Sequence, residues 1–218
     1  MTGTPLVAVF PEVVGIAAEL LRRREVAQRW TAESACPGMT VGGLAHHLAG
    51  QAGHAVALLS APAHPVELVG VLDHYRRAAW VQEGLEGGAN VEIRAAADSQ
   101  AAGGPQALHA RLAADLAALP MVIEPVLRGR RVPDAVHIPW QGWALTAGDF
   151  LLTRTMEVLV HSDDLAASVG VPAPTYPHEA AEPVLALLAA LAARRHGQTA
   201  LLRALARPQR ASGEVSAF

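Results

Sequence analysis

The segment TAGDFLLTRTMEVLVHSDDLAASVG, residues 146–170, combines an apolar helical pattern with four polar side chains at helical spacing. Arg154, Glu157, His161 and Asp164 follow one another at intervals of three, four and three residues. At about 100° per residue, these intervals place all four on one face of a helix. Because the rest of the segment is mostly apolar, we expect a buried helix whose polar face borders a cavity.

Charged groups on a buried face need partners, since burying even an unpaired neutral polar group costs about 2–7 kcal/mol. Two arrangements fit the spacing. Glu157 and His161, one turn apart, can bind a single divalent ion. Alternatively, Arg154 pairs with Glu157 and His161 pairs with Asp164 in a structural ladder of ion pairs. The segment alone leaves both interpretations open.

Composition limits the class of protein. The chain has 218 residues, of which 51% are hydrophobic, and a net charge of −3, so we expect no nucleic-acid or membrane partner. It contains no lysine, which excludes a Schiff-base or P-loop mechanism. Cys36 is the only cysteine and no secretory signal is evident, so a reducing cytoplasm is the expected location.

Apolar periodicity and turn residues predict four long helices, namely Val7 to Trp30, Val41 to Ser60 with Thr40 as N-cap, Pro105 to Leu119, and the segment from Thr146 to Gly170. The intervening segments are predicted as a shorter helix from Val66 to Gln82, an irregular region from Glu83 to Gly104 with a β-like run at Val91 to Ile93, and a loop from Pro120 to Gly142. A linker, Pro172 to Pro177, precedes further helix from Glu179 to Arg207. The fold class is therefore predicted as all-α: a four-helix bundle with long connections and an extra C-terminal helical segment.

The second long helix offers a third metal ligand in TVGGLAHHLAGQAGH, residues 40–54. A catalytic zinc ion usually takes three protein ligands and keeps a fourth position open. His47 and His54 are seven residues apart and share a helix face, whereas His46 points about 100° away from His47. His46 and His47 therefore cannot bind the same ion from one regular helix.

Two motifs, PGMTVGGLAHHLAG at residues 37–50 and WALTAGDFLLTRTMEVLVHSDDLAASVG at residues 143–170, resemble the mycothiol-dependent maleylpyruvate isomerase family. That family belongs to the DinB-like metal-binding four-helix bundles. The resemblance covers about residues 5 to 170, and its first motif places the ligand histidine at His47. Met39 and Gly43 stand where the family usually has Trp and Asp.

The resemblance implies a DinB-like bundle over residues 1–170. The isomerase itself continues into a small α/β domain, whereas residues 171–218 are shorter and helical in pattern and are predicted to form a helical extension packed on the bundle. The resemblance also implies a divalent metal ion, usually zinc, bound by His47, Glu157 and His161. It further implies activation of a low-molecular-weight thiol, mycothiol in actinobacteria, for attack on an electrophilic small molecule. The net reaction would be S-transfer or cis–trans isomerisation, by a monomer or homodimer.

Three other residues are candidates for catalysis. Arg154 could hold a substrate carboxylate through two hydrogen bonds or fix Glu157. Asp164 is the expected acceptor for the second ring nitrogen of His161. His54 continues the His47 face and could line the pocket, while Cys36 is interpreted as a structural thiol. The alternative to an enzyme is a metal-stabilised protein that binds or senses a small molecule without catalysis.

Overall fold

The computed structural model describes residues 3–84, 86–211 and 213–218, so positions 1, 2, 85 and 212 of the predicted segments lie outside the described residues. The helices are α1 (Gly3–Leu21), α2 (Arg24–Gln28), α3 (Val41–Ser60), α4 (Val71–Arg77), α5 (Ala79–Gln82), α6 (Gly88–Ala101), α7 (Gly104–Leu127), α8 (Ala147–Val169), α9 (His178–His196) and α10 (Gln198–Ala206). Two short strands, β1 (Val136–Ile138) and β2 (Trp143–Leu145), pair antiparallel. Within the described ranges, no helix is both long and apolar enough to span a membrane.

Helices α1, α3, α7 and α8 form a four-helix bundle around one apolar core. Each contributes large side chains that are almost completely buried, among them Phe10, Leu44, Leu112 and Phe150. Burial of this apolar surface is the main favourable term in folding. The prediction of an all-α bundle is confirmed.

The predicted ends of α3 and α8 are also confirmed. The Thr40 hydroxyl accepts a hydrogen bond from the Gly43 amide at 2.9 Å, and the Thr146 hydroxyl accepts one from the Asp149 amide at 3.1 Å. Both satisfy an amide group that the first turn of a helix leaves without a partner. Gly170 ends α8 with a φ of 72°, a left-handed conformation that glycine adopts at little cost.

The prediction that residues 83–104 are irregular is wrong, because Gly88–Ala101 forms α6 and the β-like run at residues 91–93 lies inside it. Helix α6 packs against α3. The Asp98 carboxylate accepts hydrogen bonds from the Thr40 amide at 3.0 Å and the Thr40 hydroxyl at 2.6 Å. Only Ala97 and Ala101 of this helix are buried, so contacts with α3, rather than a strong apolar pattern, stabilise it.

The predicted end of the third long helix at Leu119 is also wrong, since α7 continues through Pro120 and Pro125 to Leu127. Proline in a helix removes a hydrogen bond and costs about 3 kcal/mol. Burial of Ile123 in the bundle core helps to offset that cost. The predicted loop is consequently shorter, and it contains the β1–β2 hairpin.

Two further helix boundaries differ from prediction: the first helix breaks after Leu21, and the segment from residue 66 to 82 contains the two short helices α4 and α5. The C-terminal helical segment divides at Gly197, where the sequence His196-Gly197 is typical of a helix stop. Helix α9 packs against α1 and α8, and Tyr176 donates a hydrogen bond to Ser162 of α8 at 2.7 Å. The division into domains at residue 170 stays a prediction.

Candidate metal centre

Three predicted ligand side chains converge between α3 and α8. The Glu157 Oε2 atom lies 3.3 Å from His47 Nε2 and 3.1 Å from His161 Nε2. The two imidazole rings are nearly perpendicular, with centroids 4.7 Å apart. One donor atom from each of the three residues lies within 4.8 Å of the other two. The structure thus brings together a His–Glu–His set from two helices.

The spacing of these donors suits a small divalent ion. A tetrahedral ion with bonds of about 2.0–2.1 Å holds its ligand atoms about 3.3–3.4 Å apart. The observed separations from the carboxylate oxygen are 3.1 and 3.3 Å. The side chains of His47, Glu157 and His161 are 22%, 14% and 21% exposed, so the group is reachable from solvent on one side. These residues fit a zinc-like ion with room for another ligand.

Asp164 occupies the position expected of an acceptor for His161. Its Oδ2 atom lies 3.0 Å from His161 Nδ1, leaving His161 Nε2 facing Glu157. The Cys36 thiol also lies close to this carboxylate oxygen, with Sγ at 3.4 Å. The sequence analysis interpreted Cys36 as a structural thiol and did not predict this contact. No local signal indicated the contact, because Cys36 belongs to the connection before α3.

Hydrogen bonding controls protonation in the cluster. Burial raises the pKa of Glu157, but the hydrogen bonds from His161 and His47 outweigh it and hold the pKa well below its usual value. Burial lowers the pKa of His161, yet its hydrogen bonds, first to Asp164, outweigh burial and raise the pKa well above its usual value. Without an ion, a carboxylate therefore lies beside a protonated imidazole. Metal binding at this site must release that proton.

The two neighbouring histidines of α3 lie in different surroundings. His47 faces Glu157 and His161, whereas the ring of His46 lies 5.9 Å from that of Trp30. Burial lowers the pKa of His46, and its Nε2 atom has no hydrogen-bond partner among the described residues. The helix register deduced from the sequence therefore places the correct histidine at the cluster.

Arg154 does not form the predicted ladder. Its guanidinium donates to Gln51 Oε1 at 2.6 Å, and Gln51 in turn donates to the His47 carbonyl at 2.9 Å. No ion pair joins Arg154 to Glu157 in the described part of the chain, although Arg154 is close enough to lower the pKa of Glu157. Only the His161–Asp164 half of the ladder exists. Arg154 instead connects α8 to α3 through Gln51.

The cluster opens into a pocket of about 1320 Å³. Arg154 and His54 line it, and the ring of His54 lies 5.2 Å from that of Trp140. Burial lowers the pKa of His54 to about 4, so its ring is neutral at pH 7. Its Nδ1 atom is buried and has no partner within the described ranges. Such a pocket, with a few polar groups at one end, is typical of a small-molecule site.

Sequence reasoning missed one wall of this pocket. Tyr75 and Trp80 line it from α4 and α5, and Phe218 reaches it from the other end of the chain. The relevant sequence signal is weak, since isolated aromatic residues near turns occur in most domains. Only the fold shows that these three side chains line the same pocket as the His–Glu–His cluster.

Comparison with known proteins gave one match. Residues 14–166 match the family model described as the mycothiol maleylpyruvate isomerase N-terminal domain. The matched range contains α3 and most of α8, with all three residues of the His–Glu–His cluster. Searches of curated proteins and of solved structures gave no match.

Proposed function

Because the chain belongs to the mycothiol maleylpyruvate isomerase N-terminal domain family, a group of DinB-like helical proteins, we propose that it is a metal-dependent, thiol-using enzyme. The reaction would be S-transfer or cis–trans isomerisation, with mycothiol as cosubstrate and an electrophilic small molecule as substrate. The observation that carries the proposal is the convergence of His47, Glu157 and His161 at one end of a large pocket.

In this proposal His47, Glu157 and His161 hold a divalent ion, with zinc as the first candidate. Two neutral imidazoles and one carboxylate leave a zinc site with a net charge near +1 and at least one open position. When bound, the ion lowers the pKa of a coordinated thiol and so makes a nucleophile available at neutral pH. The protein needs no cysteine of its own for this chemistry.

Asp164 has a positioning role. Its carboxylate lies 3.0 Å from His161 Nδ1, where it can accept a hydrogen bond from the ring N–H. That hydrogen bond leaves the lone pair of Nε2 directed towards the ligand cluster. A carboxylate at this place also raises the basicity of the imidazole. Removal of Asp164 should therefore weaken metal binding without removing a ligand.

Arg154 and His54 would contact the substrate. Arg154 lines the pocket and carries a planar, permanently charged group that can bind a carboxylate through two hydrogen bonds. His54 is neutral at pH 7 and presents a hydrogen-bonding ring to the same pocket. The thiol sulfur would form a bond to an electrophilic carbon held between these groups, while the π bond of an unsaturated substrate opens, the C–O bond of an epoxide breaks or a halide ion leaves. Expulsion of the thiolate after rotation about the former double bond would give isomerisation, and retention of the new C–S bond would give S-transfer.

Thiol consumption tests the proposal. Metal-free and zinc-loaded protein would be mixed with mycothiol and a panel of aryl halides, epoxides and unsaturated carbonyl compounds. We expect turnover only with both ion and thiol, and we expect Glu157→Gln to reduce it at least about a hundredfold, as losses at metal sites do. Glu179→Gln, an exposed carboxylate on α9, is the control and should leave turnover unchanged. Zinc-loaded protein that binds small molecules but consumes no thiol would favour the non-catalytic binder.

A further inference from the structure

Three aromatic rings meet in the wall of the pocket that contains the His–Glu–His cluster. The ring centroid of Tyr75 lies 6.0 Å from that of Trp80 and 5.6 Å from that of Phe218. The rings of Trp80 and Phe218 are 4.9 Å apart. All three line the same pocket as Glu157, so a ligand that reaches the cluster can also contact these rings.

The hydroxyl of Tyr75 is unusual in this wall. Tyr75 is only 1% exposed, and its hydroxyl oxygen has no hydrogen-bond partner among the residues that the structure describes. Burial, together with the nearby charge of Glu157, raises the pKa of this hydroxyl, so it keeps its proton. A buried hydroxyl without an acceptor destabilises a protein, and native structures rarely retain one without a reason.

Phe218 packs on the ring of Tyr75 from a segment that is held by surface hydrogen bonds and by the packing of Ala217. Phe218 is 38% exposed, and its ring also contacts that of Trp80. The segment is fixed at Ser216, whose carbonyl lies 2.8 Å from His196 Nε2 and whose hydroxyl accepts from Arg195 at 3.4 Å. These bonds are exposed to solvent, where water can replace them at little cost. A ligand can therefore displace Phe218 without disturbing the bundle.

We propose that Tyr75 and Trp80 form a subsite for a planar apolar group that carries an oxygen acceptor, and that Phe218 occupies this subsite in the free protein. The planar group takes the place of the Phe218 ring between Trp80 and Tyr75. Its oxygen accepts the hydrogen bond that the Tyr75 hydroxyl lacks. The inference rests on the proposed function in one respect: it takes the planar group to be part of the electrophilic substrate. Binding of the planar group at the subsite requires neither thiol nor metal.

A pair of matched ligands tests the hydrogen bond. Acetophenone is planar and carries a carbonyl oxygen, whereas 2-phenylpropene has a methylene group in place of that oxygen and therefore nearly the same shape without an acceptor. With the purified full chain, we expect Tyr75→Phe to weaken acetophenone binding about threefold to tenfold in calorimetric titration, the range of one neutral hydrogen bond. The affinity for 2-phenylpropene should change less than about twofold. Equal effects on both ligands, or none on acetophenone, would overturn the proposal.

Stability provides a second readout that does not depend on any ligand. If the hydroxyl is unpaired in the free protein, Tyr75→Phe should lower the equilibrium constant for unfolding about fivefold or more. A hydroxyl that is bonded within the fold would give the opposite result, since its removal would favour unfolding. That outcome would also overturn the proposal.

Phe218→Ala tests the displacement. Removal of the ring vacates the subsite, so a ligand no longer has to displace an apolar side chain. Both ligands should therefore bind at least about threefold more tightly. Weaker binding of both ligands would show that Phe218 is a permanent wall and would contradict the inference. None of these measurements involves thiol consumption. The subsite proposal can therefore be contradicted while the proposed enzyme activity is confirmed, and the enzyme activity can be contradicted while the subsite is confirmed.

Discussion

At the scale of single residues, Cys36 provides a direct test of where the nucleophile comes from. Its thiol lies 3.4 Å from the Asp164 carboxylate, close to the proposed ligand His161. If the nucleophile is an external thiol, Cys36→Ala should keep at least about a third of wild-type turnover, because it removes only a weak S–H hydrogen bond. Steady-state rates with mycothiol, compared at equal zinc content, check this. A loss of more than about a hundredfold at full zinc occupancy would mean that Cys36 takes part in the chemistry.

His74 gives a pH-dependent prediction. It is 4% exposed and accepts a hydrogen bond from Trp143 at 3.1 Å, and burial lowers its pKa to about 4. Between its unfolded pKa of about 6.5 and this value, the unfolded chain holds a proton that the folded chain lacks. The free energy of unfolding is therefore at its full value, as far as His74 is concerned, above pH 6.5. As the pH falls to about 4, proton uptake by the unfolded chain lowers this free energy by up to about 3 kcal/mol.

Substitution isolates this effect. In the His74→Gln variant the glutamine keeps an acceptor for Trp143 but cannot titrate. Between pH 6.5 and 4, the free energy of unfolding of this variant should therefore fall less than that of the wild type. Urea denaturation at pH 7.5, 5.5 and 4.5 measures the difference. Parallel curves for the two proteins would contradict the assignment of a buried neutral imidazole at position 74.

Spacing along the sequence predicts only part of the cluster. Intervals of three and four residues on α8 correctly predict that Glu157, His161 and Asp164 meet, because a helix fixes those distances locally. Placing His47 beside them required the first motif, at residues 37–50, in addition. Tyr75 and Phe218 could not be found in this way, since only the chain path through α4 and α9 brings them together.

At the scale of elements, the junction of α3 and α6 depends on the absence of a side chain at Gly43. A Cβ atom there would overlap the Asp98 carboxylate, which bonds to the Thr40 amide and hydroxyl at the start of α3. The resemblance noted in the sequence implies Asp at position 43, and here α6 instead supplies a carboxylate at that helix start from a distant part of the chain. The contact between Asp98 and the start of α3 accounts for the glycine at position 43 and for α6, the helix that the sequence did not predict.

We therefore expect Gly43→Ala to destabilise the protein by about 1–3 kcal/mol, as overpacking does, although alanine normally favours a helix. In an Asp98→Ala background the same change should cost much less, because the overlapping group is gone. Gly50→Ala is the matched control in α3, where an added Cβ meets no atom within 4 Å, and it should stabilise by up to about 1 kcal/mol. Additive effects of Gly43→Ala and Asp98→Ala in chemical denaturation would contradict the contact.

Helices α6 and α7 mark the limit of prediction from periodicity. The pattern of α3 and α8 is strong because they are buried over much of their surface, and their caps lie within the sequence motifs. Helix α6 has two buried alanines and gains its order from α3. Helix α7 keeps its course through two prolines because the bundle buries residues beyond the first of them. In both cases tertiary packing overrides the local preference.

At the scale of the whole molecule, the bundle and its additions build one site. Helices α3 and α8 supply the His–Glu–His cluster, while α4, α5 and the segment at residues 216–218 contribute further walls of the same pocket. The four-helix class follows from composition and periodicity. The shape of the pocket follows from long-range contacts, which no local pattern encodes. In the proposed function the bundle would supply the metal ligands together with Arg154 and His54, and the additions would supply the aromatic wall.

The central claim, that His47, Glu157 and His161 bind a metal ion, is tested most directly by the zinc content of purified protein. After saturation with zinc and removal of the unbound ion, elemental analysis of the wild type should give about one ion per chain. His47→Ala should lose most of it, because the remaining two ligands hold a divalent ion poorly. His46→Ala should retain it, since that ring faces Trp30. A folded His47→Ala protein with full zinc content, or a folded wild type with none, would contradict the account.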